Sequence, residues 1–290
     1  MTIWKNYYLA KSVPDALGAL ANASGDARII AGGTDLLLDL QQGRHPPLDT
    51  LVDITEIPEM CQLELRRDCL FIGAALPLNQ VVDSPLVRQH AQALFDAAGL
   101  IGGPQVRNTA TLGGNVAHAL PAADGTIALL ALDAQAEIAS QRATRRVPLI
   151  DLFRGPGQST LDPHRELLTG FYLPLRQPGQ ASAFRRVMRP QGVAIAILNL
   201  AVWLERAGDH IADIRISVGP AGPVPMRLPE TEAQLRGKPP AQPVIERAVA
   251  ALLDETHFRT SPHRSTAEYR RHTAAVLLAE VLALAFERAV

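Results

Sequence analysis

Residues 27–40 run Ala27-Arg28-Ile29-Ile30-Ala31-Gly32-Gly33-Thr34-Asp35-Leu36-Leu37-Leu38-Asp39-Leu40, and the order of residue types predicts three local structures. Ala27–Ala31 is a short apolar run of strand type. Gly32-Gly33 stops it, and Leu36–Leu40 reads as a helix capped by Thr34 or Asp35. Just upstream, Ser12-Val13-Pro14-Asp15 begins a capping-box pattern with proline near the first turn. Ala16, Leu17 and Leu20 then share one face of a short helix. The chain therefore opens as helix, strand, glycine turn, helix. Downstream, Leu51–Ile54 and Cys69–Ile72 are strand candidates, the second running into Gly73. The spacing of Leu86, Val87, Leu94, Phe95 and Ala98 is helical.

A second glycine-rich stretch follows, from Ile101-Gly102-Gly103-Pro104 through Thr109-Ala110-Thr111-Leu112-Gly113-Gly114-Asn115. It leads through Pro121-Ala122-Ala123-Asp124 into an apolar helix over Thr126–Leu132. The loop Arg154–Thr160 is too polar and glycine-rich for a core. Pro174–Gln180 has linker composition and marks a domain boundary. Beyond it, Val193–Glu205 and Ile211–Val218 are β-rich runs joined by Ala207-Gly208-Asp209-His210, a hairpin. Helices are expected over Pro243–Leu253 and Ser265–Glu287.

The whole chain has 290 residues, which on a prior of roughly 150 per domain suggests two domains. Its 28 Lys+Arg and 29 Asp+Glu leave a net charge of −1, no footprint for nucleic acid or an anionic membrane. Two cysteines, Cys61 and Cys69, are too few for an iron–sulfur cluster or a secreted disulfide framework. They read as thiols of a reduced, cytoplasmic protein. The first residues lack the order of a signal peptide. The longest apolar stretch, Val193–Leu204, falls short of the ~20 residues a membrane span needs. The eight histidines are scattered and none of their spacings suits zinc, so no metal site is expected. Nor is there a Gly-x-Ser-x-Gly nucleophile pattern.

The chemistry points to the glycine loops. Gly32 and Gly33 leave no Cβ between a ligand and the backbone and permit positive φ. Helix-start N–H groups beside them favour an anion such as a pyrophosphate; the alternative is a plain strand–turn–helix. Thr111–Asn115 repeats hydroxyl, Gly-Gly and amide, and neither loop fits the phosphate-loop or Rossmann patterns. A dinucleotide held by two non-Rossmann loops is the sharper reading. Asp124 either accepts from a ribose or adenine or simply caps the Thr126 helix. Arg185-Arg186-Val187-Met188-Arg189 and Arg270-Arg271 are either solvated faces or contacts to a cofactor or partner.

Ala31-Gly32-Gly33-Thr34-Asp35-Leu36, Thr109–Asn115 and Pro121–Asp124 together resemble the paired FAD motifs of the flavoprotein (medium) subunits of molybdenum hydroxylases, the xanthine dehydrogenase and carbon monoxide dehydrogenase type. Asn6–Ala16, Leu51–Ile54, Val218–Arg227 and His263–Arg271 are similar to further motifs, so the resemblance runs nearly end to end. It implies an α+β chain. Residues 1–176 would form a two-subdomain FAD-binding domain of PCMH type, split near 55–60. Residues 177–290 would form a small C-terminal domain of antiparallel sheet and helices.

By position, Ile29, Ile30, Ala31, Gly32, Gly33, Thr34, Asp35 and Leu36 would wrap the pyrophosphate. Thr109, Ala110, Thr111, Leu112, Gly113, Gly114 and Asn115 would make the second FAD loop. Asp124 would bind the adenosine side, and Ile101 and Leu168 would pack apolar groups on the cofactor. Many relatives place a lysine near the flavin ring where this chain has Arg185 and Arg186, so Arg186 is the candidate there. Gln191-Gly192 stands where an acidic residue is common.

The implied function is electron relay through non-covalent FAD. Electrons would come from [2Fe–2S] clusters on a small partner subunit, fed by a large molybdenum-cofactor subunit, and leave to NAD+ or another acceptor. No side chain of this chain is expected to be catalytic. The alternatives are a non-redox nucleotide-binding or assembly subunit and a stand-alone flavin oxidase; against the latter, no covalent-flavin histidine motif is recognisable.

Overall fold

A computed structural model describes residues 3–189 and 195–289. The first sheet is parallel: β1 (Trp4–Leu9), β2 (Ala27–Ile30) and β3 (Leu48–Asp53) lie in the order β1-β3-β2. Parallel neighbours need crossovers, supplied by α1 (Val13–Asn22) and α2 (Leu36–Gln41). Half of the capping box forms: Ser12 Oγ accepts from the Asp15 N–H at 3.2 Å, while the Asp15 carboxylate accepts from the Lys11 N–H at 2.8 Å rather than from that of Ser12, and α1 buries Ala16, Leu17 and Leu20. α2 differs from expectation at its start, where Asp35 occupies the cap position but its side chain makes no capping hydrogen bond.

The second sheet is antiparallel, ordered β4 (Leu63–Arg66), β5 (Cys69–Gly73), β10 (Glu166–Pro174), β6 (Gln135–Ser140), β7 (Thr144–Pro148). A small hairpin, β8 (Phe153–Gly155) with β9 (Gln158–Ser159), hangs beside it. Between β5 and β6 come six helices: α3 (Leu78–Asp83), α4 (Pro85–His90), α5 (Gln92–Ala98), α6 (Pro104–Arg107), α7 (Leu112–Ala117) and α8 (Asp124–Ala131).

The continuous helical spacing over Pro85–Ala98 is in fact two helices. The break falls at Ala91, with φ −138° and ψ 54°. A cap from far along the chain fixes it: the Ala93 N–H donates to Ser182 Oγ at 3.0 Å. The side-chain oxygen of a residue in another sheet thereby takes up a helix-start donor that would otherwise be orphaned.

The third sheet, β11 (Gln180–Val187), β12 (Leu198–Ala207), β13 (His210–Gly219) and β14 (Met226–Arg227), is antiparallel in that order. Its hairpin turns at Gly208-Asp209, as the sequence predicts. The expected strand start at Val193, and Gln191-Gly192, lie outside the described residues. Three helices complete the chain: α9 (Pro229–Leu235), α10 (Gln242–Glu255) and α11 (Ala267–Arg288).

Side-chain alternation on β12 explains how the parts join. Leu198, Leu200, Val202 and Leu204 face the core made with α10 and α11, whereas Ala201 and Trp203 join the core of the first part. On this second face β11 meets α5, and β12 and β13 meet α8. Phe184 on β11 is fully buried there, worth roughly 1.5–3 kcal/mol. The third sheet is therefore covered on both faces.

Candidate functional site

A cleft of about 550 Å³ opens between the first two sheets, within the 300–1,000 Å³ typical of small-molecule and cofactor sites. The second glycine loop reaches it through Thr111, Gly113 and Gly114, and the first only through Ala31, with Gly32 to Leu36 outside its lining. Ile29, Ala31, Thr111, Gly113, Gly114 and Leu168 line it, joined by Arg28 and by the β8–β9 hairpin through Arg154, Gly157, Gln158 and Ser159.

The loops touch each other through Gly32. A Cβ there would come within 2.8 Å of Ala110 Cα and closer still to the Thr109 carbonyl, so only glycine permits this approach. Gly33 is left-handed, with φ +66°. The N–H groups of Gly32, Gly33, Thr34, Asp35 and Leu36 have no hydrogen-bond partner among the described residues. A run of free backbone donors at a turn leading into a helix is a cradle for an anion.

The second loop is built differently. Gly113 donates its N–H to the Ala74 carbonyl at 3.0 Å, and Gly114 donates to Thr111 Oγ1 at 3.0 Å. Neither glycine has positive φ. Gly113 is needed for close packing, since a Cβ would lie 2.6 Å from Ala74 Cβ. Gly114 is exposed to the cleft, where a Cβ would meet only Thr111 Oγ1, at 3.3 Å.

Other expected residues are employed inside the protein. Ile30 packs with Leu40, Leu48 and Leu51 in a small separate core. Leu36 and Leu37 pack on that same core. Ile101 is partly buried against the main core of the first part, of which Ala110 and Leu112 are members. Asn115 Oδ1 accepts from the Thr126 N–H at 3.1 Å, tying the second loop to α8.

Asp124 is the first residue of α8, not its cap, which is Ala123. Its carboxylate is buried and engaged twice across the domain junction. Arg186 Nη1 of β11 donates to Oδ2, and Asn199 Nδ2 of β12 donates to Oδ1 at 2.6 Å. Burial pushes the Asp124 carboxyl above the usual carboxylate range, against the pull of Arg186 and Asn199. Neither Asp124 nor Arg186 lines the cleft. The candidate flavin-side arginine thus holds the helix below it.

Sequence reading missed Arg28, Arg154 and the rest of the β8–β9 wall as site residues. The polar, glycine-rich composition of Arg154–Thr160 was the available signal. Arg154 forms no salt bridge among the described residues, whereas Arg28 sits 3.5 Å from Asp26. The cleft's open glycine and two arginines, with the free backbone donors that follow Ala31 in the chain, fit a long diphosphate cofactor with an apolar ring system. Among the described residues no group of three or more metal-ligating side chains exists, and no helix is long and apolar enough to cross a membrane.

Comparisons with known proteins agree with this chemistry. Residues 3–176 match the family model of the FAD binding domain in molybdopterin dehydrogenase, and residues 182–285 that of the CO dehydrogenase flavoprotein C-terminal domain. The chain is 31% identical over 281 residues to the xanthine dehydrogenase FAD-binding subunit of Escherichia coli O157:H7, covering 96% of this chain and 94% of that one. It is 33% identical over 265 residues to the nicotine 6-hydroxylase medium subunit of Paenarthrobacter nicotinovorans, covering 91% of each. Among solved structures, carbon monoxide dehydrogenase from Hydrogenophaga pseudoflava superposes with a TM-score of 0.93 at 28% identity, covering 98% of both chains. The cleft, its two glycine loops and the full-length similarity have one conclusion: the chain belongs to the FAD-binding medium subunits of the molybdenum hydroxylases, an oxidoreductase family.

Proposed function

We propose that this chain is the electron-transfer subunit of its complex. It would take electrons from [2Fe–2S] clusters on a small partner subunit and pass them to NAD+ or another acceptor, while a large molybdenum-cofactor subunit oxidises the substrate in the cytoplasm. Bound FAD supplies a carrier that accepts single electrons and releases them singly or as a hydride. The observation that carries the reading is the contact of the two glycine loops at one edge of the cleft, with free backbone donors on one side only.

The residues divide the work accordingly. Free N–H groups from Gly32 to Leu36 bind the diphosphate, and Arg28 and Arg154 neutralise its charge. Gly114 leaves room for the cofactor's approach, and Ile29, Ala31 and Leu168 offer apolar surface to a ring. All cleft residues fall within residues 28–168. We therefore assign cofactor binding to residues 1–176 and give residues 177–290 the role of bracing α5 and α8 beneath the cleft.

The purified chain is expected to show flavin absorbance, and acid precipitation should release all of it to the supernatant. A yellow pellet would overturn non-covalent binding, and a colourless chain that still assembles would favour a purely assembly role. The chain by itself should not oxidise purines, aldehydes, carbon monoxide or N-heterocycles with a dye acceptor. Turnover by homogeneous, metal-free chain would favour a stand-alone oxidase.

A further inference from the structure

We propose that a second cavity, where α4 and α5 meet β11, β12 and the end of α11, binds a phosphate group, free or carried on a small organic molecule. The cavity is about 330 Å³ and shares no lining residue with the flavin cleft. Its charged lining is entirely cationic: Arg88 from α4, Arg176 from the linker and Arg288 from α11.

Only one of these guanidinium groups has a carboxylate among the described residues. Arg288 Nη1 donates to Asp96 Oδ2 at 2.6 Å. Arg88 instead lies over the Phe95 ring, 4.6 Å from its centroid. Arg176 reaches only backbone carbonyls, those of Gln180 at 2.5 Å and Arg288 at 3.4 Å. Two positive charges are thus left without a carboxylate partner at one concave surface.

The polar groups around them are short of anionic acceptors. Ser182 is 3% exposed, its Oγ already accepts from the Ala93 N–H, and no described residue takes its hydroxyl proton. His90 Nδ1 is buried without a partner among the described residues. A wall rich in charged and hydroxyl donors, with no carboxylate lining it, complements an oxyanion, and charge-assisted bonds of this kind are the strong ones. A phosphate group carrying about −1.5 to −2 at pH 7 matches the two unpaired guanidinium charges. The cavity exceeds what one tetrahedral oxyanion fills, leaving space beside Trp203 for an organic part.

The site has a structural consequence. Arg88 and His90 belong to the first part of the chain, Ser182, Trp203 and Arg288 to the last, and Arg176 lies between. A ligand seated here ties the two parts together at the point where Ser182 caps α5.

The test uses protein fully loaded with FAD, so that the flavin's own diphosphate site is filled. Calorimetric titration with inorganic phosphate, against chloride at equal ionic strength, should show saturable binding. An Arg88→Gln/Arg176→Gln double variant should bind at least tenfold more weakly while its flavin spectrum and melting temperature in phosphate-free buffer stay unchanged. AMP binding more tightly than phosphate, with adenosine failing to compete, assigns the site to a phosphate ester; AMP binding no more tightly assigns it to the free ion. Absence of saturable phosphate binding, or equal affinity in the double variant, overturns the proposal.

Discussion

The two Gly-Gly loops look alike as sequence and act differently in the fold. In the first, Gly32 allows one backbone to press against another, Gly33 turns left-handed, and five successive N–H groups have no partner among the described residues. In the second, both glycine N–H groups are spent on Ala74 and Thr111, and the loop starts a right-handed helix. The first loop has the free donors that an anion cradle needs; the second is a shaped wall of the cleft. A shared dipeptide therefore identifies the location of a site without saying which chemical need each glycine meets. Counting where the backbone hydrogen bonds go separates the two.

The comparison can be broken at the second loop's anchorage, where the largest effect is expected. Asn115 ties this loop to α8, and Asp124 ties α8 to Arg186, both of whose side chains are 6% exposed. Arg186→Met leaves the carboxyl without its cation, a loss of about 3–5 kcal/mol for a broken buried pair. The pH dependence has a definite sign. A carboxyl whose native pKa lies above its unfolded value of about 3.9 holds its proton more tightly when folded, so stability falls as pH rises through the native value. Removing Arg186 raises that native value further. The variant's deficit in chemical denaturation should therefore be smaller at pH 5 than at pH 8; a deficit that grows on acidification would refute the buried-pair account.

Gly32→Val should come next. Its side chain has backbone on the facing side, so the loops must part, at or above the ~3 kcal/mol typical of severe overpacking. FAD should be lost and the melting temperature should fall by several degrees. Full FAD occupancy would mean that the loop contact is dispensable.

Gly33→Val is expected to be milder in stability. The left-handed φ of +66° costs an L-residue about 1–2 kcal/mol. The nearest obstacles, Ile30 Cδ1 at 2.9 Å and Leu37 Cδ1 at 3.0 Å, are ends of flexible side chains. Flavin binding should still fall sharply, because the free N–H groups are re-aimed, while the C-terminal domain stays folded. Unchanged flavin affinity would remove the first loop from the diphosphate site.

The smallest stability effect belongs to Gly114→Ala, and it should be favourable in flavin-free protein. Alanine in place of glycine within a helix gains up to about 1 kcal/mol, and here the new methyl faces the open cleft. FAD affinity should nonetheless drop, about tenfold on equilibrium dialysis. Equal affinity would show that the cofactor does not approach Gly114, and would sharpen the contrast by confining recognition to the first loop.

Local chemistry was enough to read much of this molecule. The Ser12 cap and the Ala16, Leu17, Leu20 stripe specify α1, the apolar run before Gly32 specifies β2, and the Ala207–His210 turn specifies the β12–β13 hairpin. Each depends on residues a few positions apart, and propensity, capping and period all act over that range. The two glycine loops were legible as a candidate site for the same reason. What could not be read locally were interactions closed by folding. Ser182 caps α5 from 89 residues away, so the spacing of Leu86 to Ala98 suggested one helical stretch where there are two. Arg186 meets Asp124 across 62 residues, and a charge in sequence carries no mark of which partner burial will give it. Arg154 was plainly a loop residue, but only the placement of the β8–β9 hairpin puts it on the cleft. Short-range pattern specified the elements and pointed to where a cofactor would sit; folding set which donors stay free, because a backbone or side-chain hydrogen bond is spent only when its partner arrives.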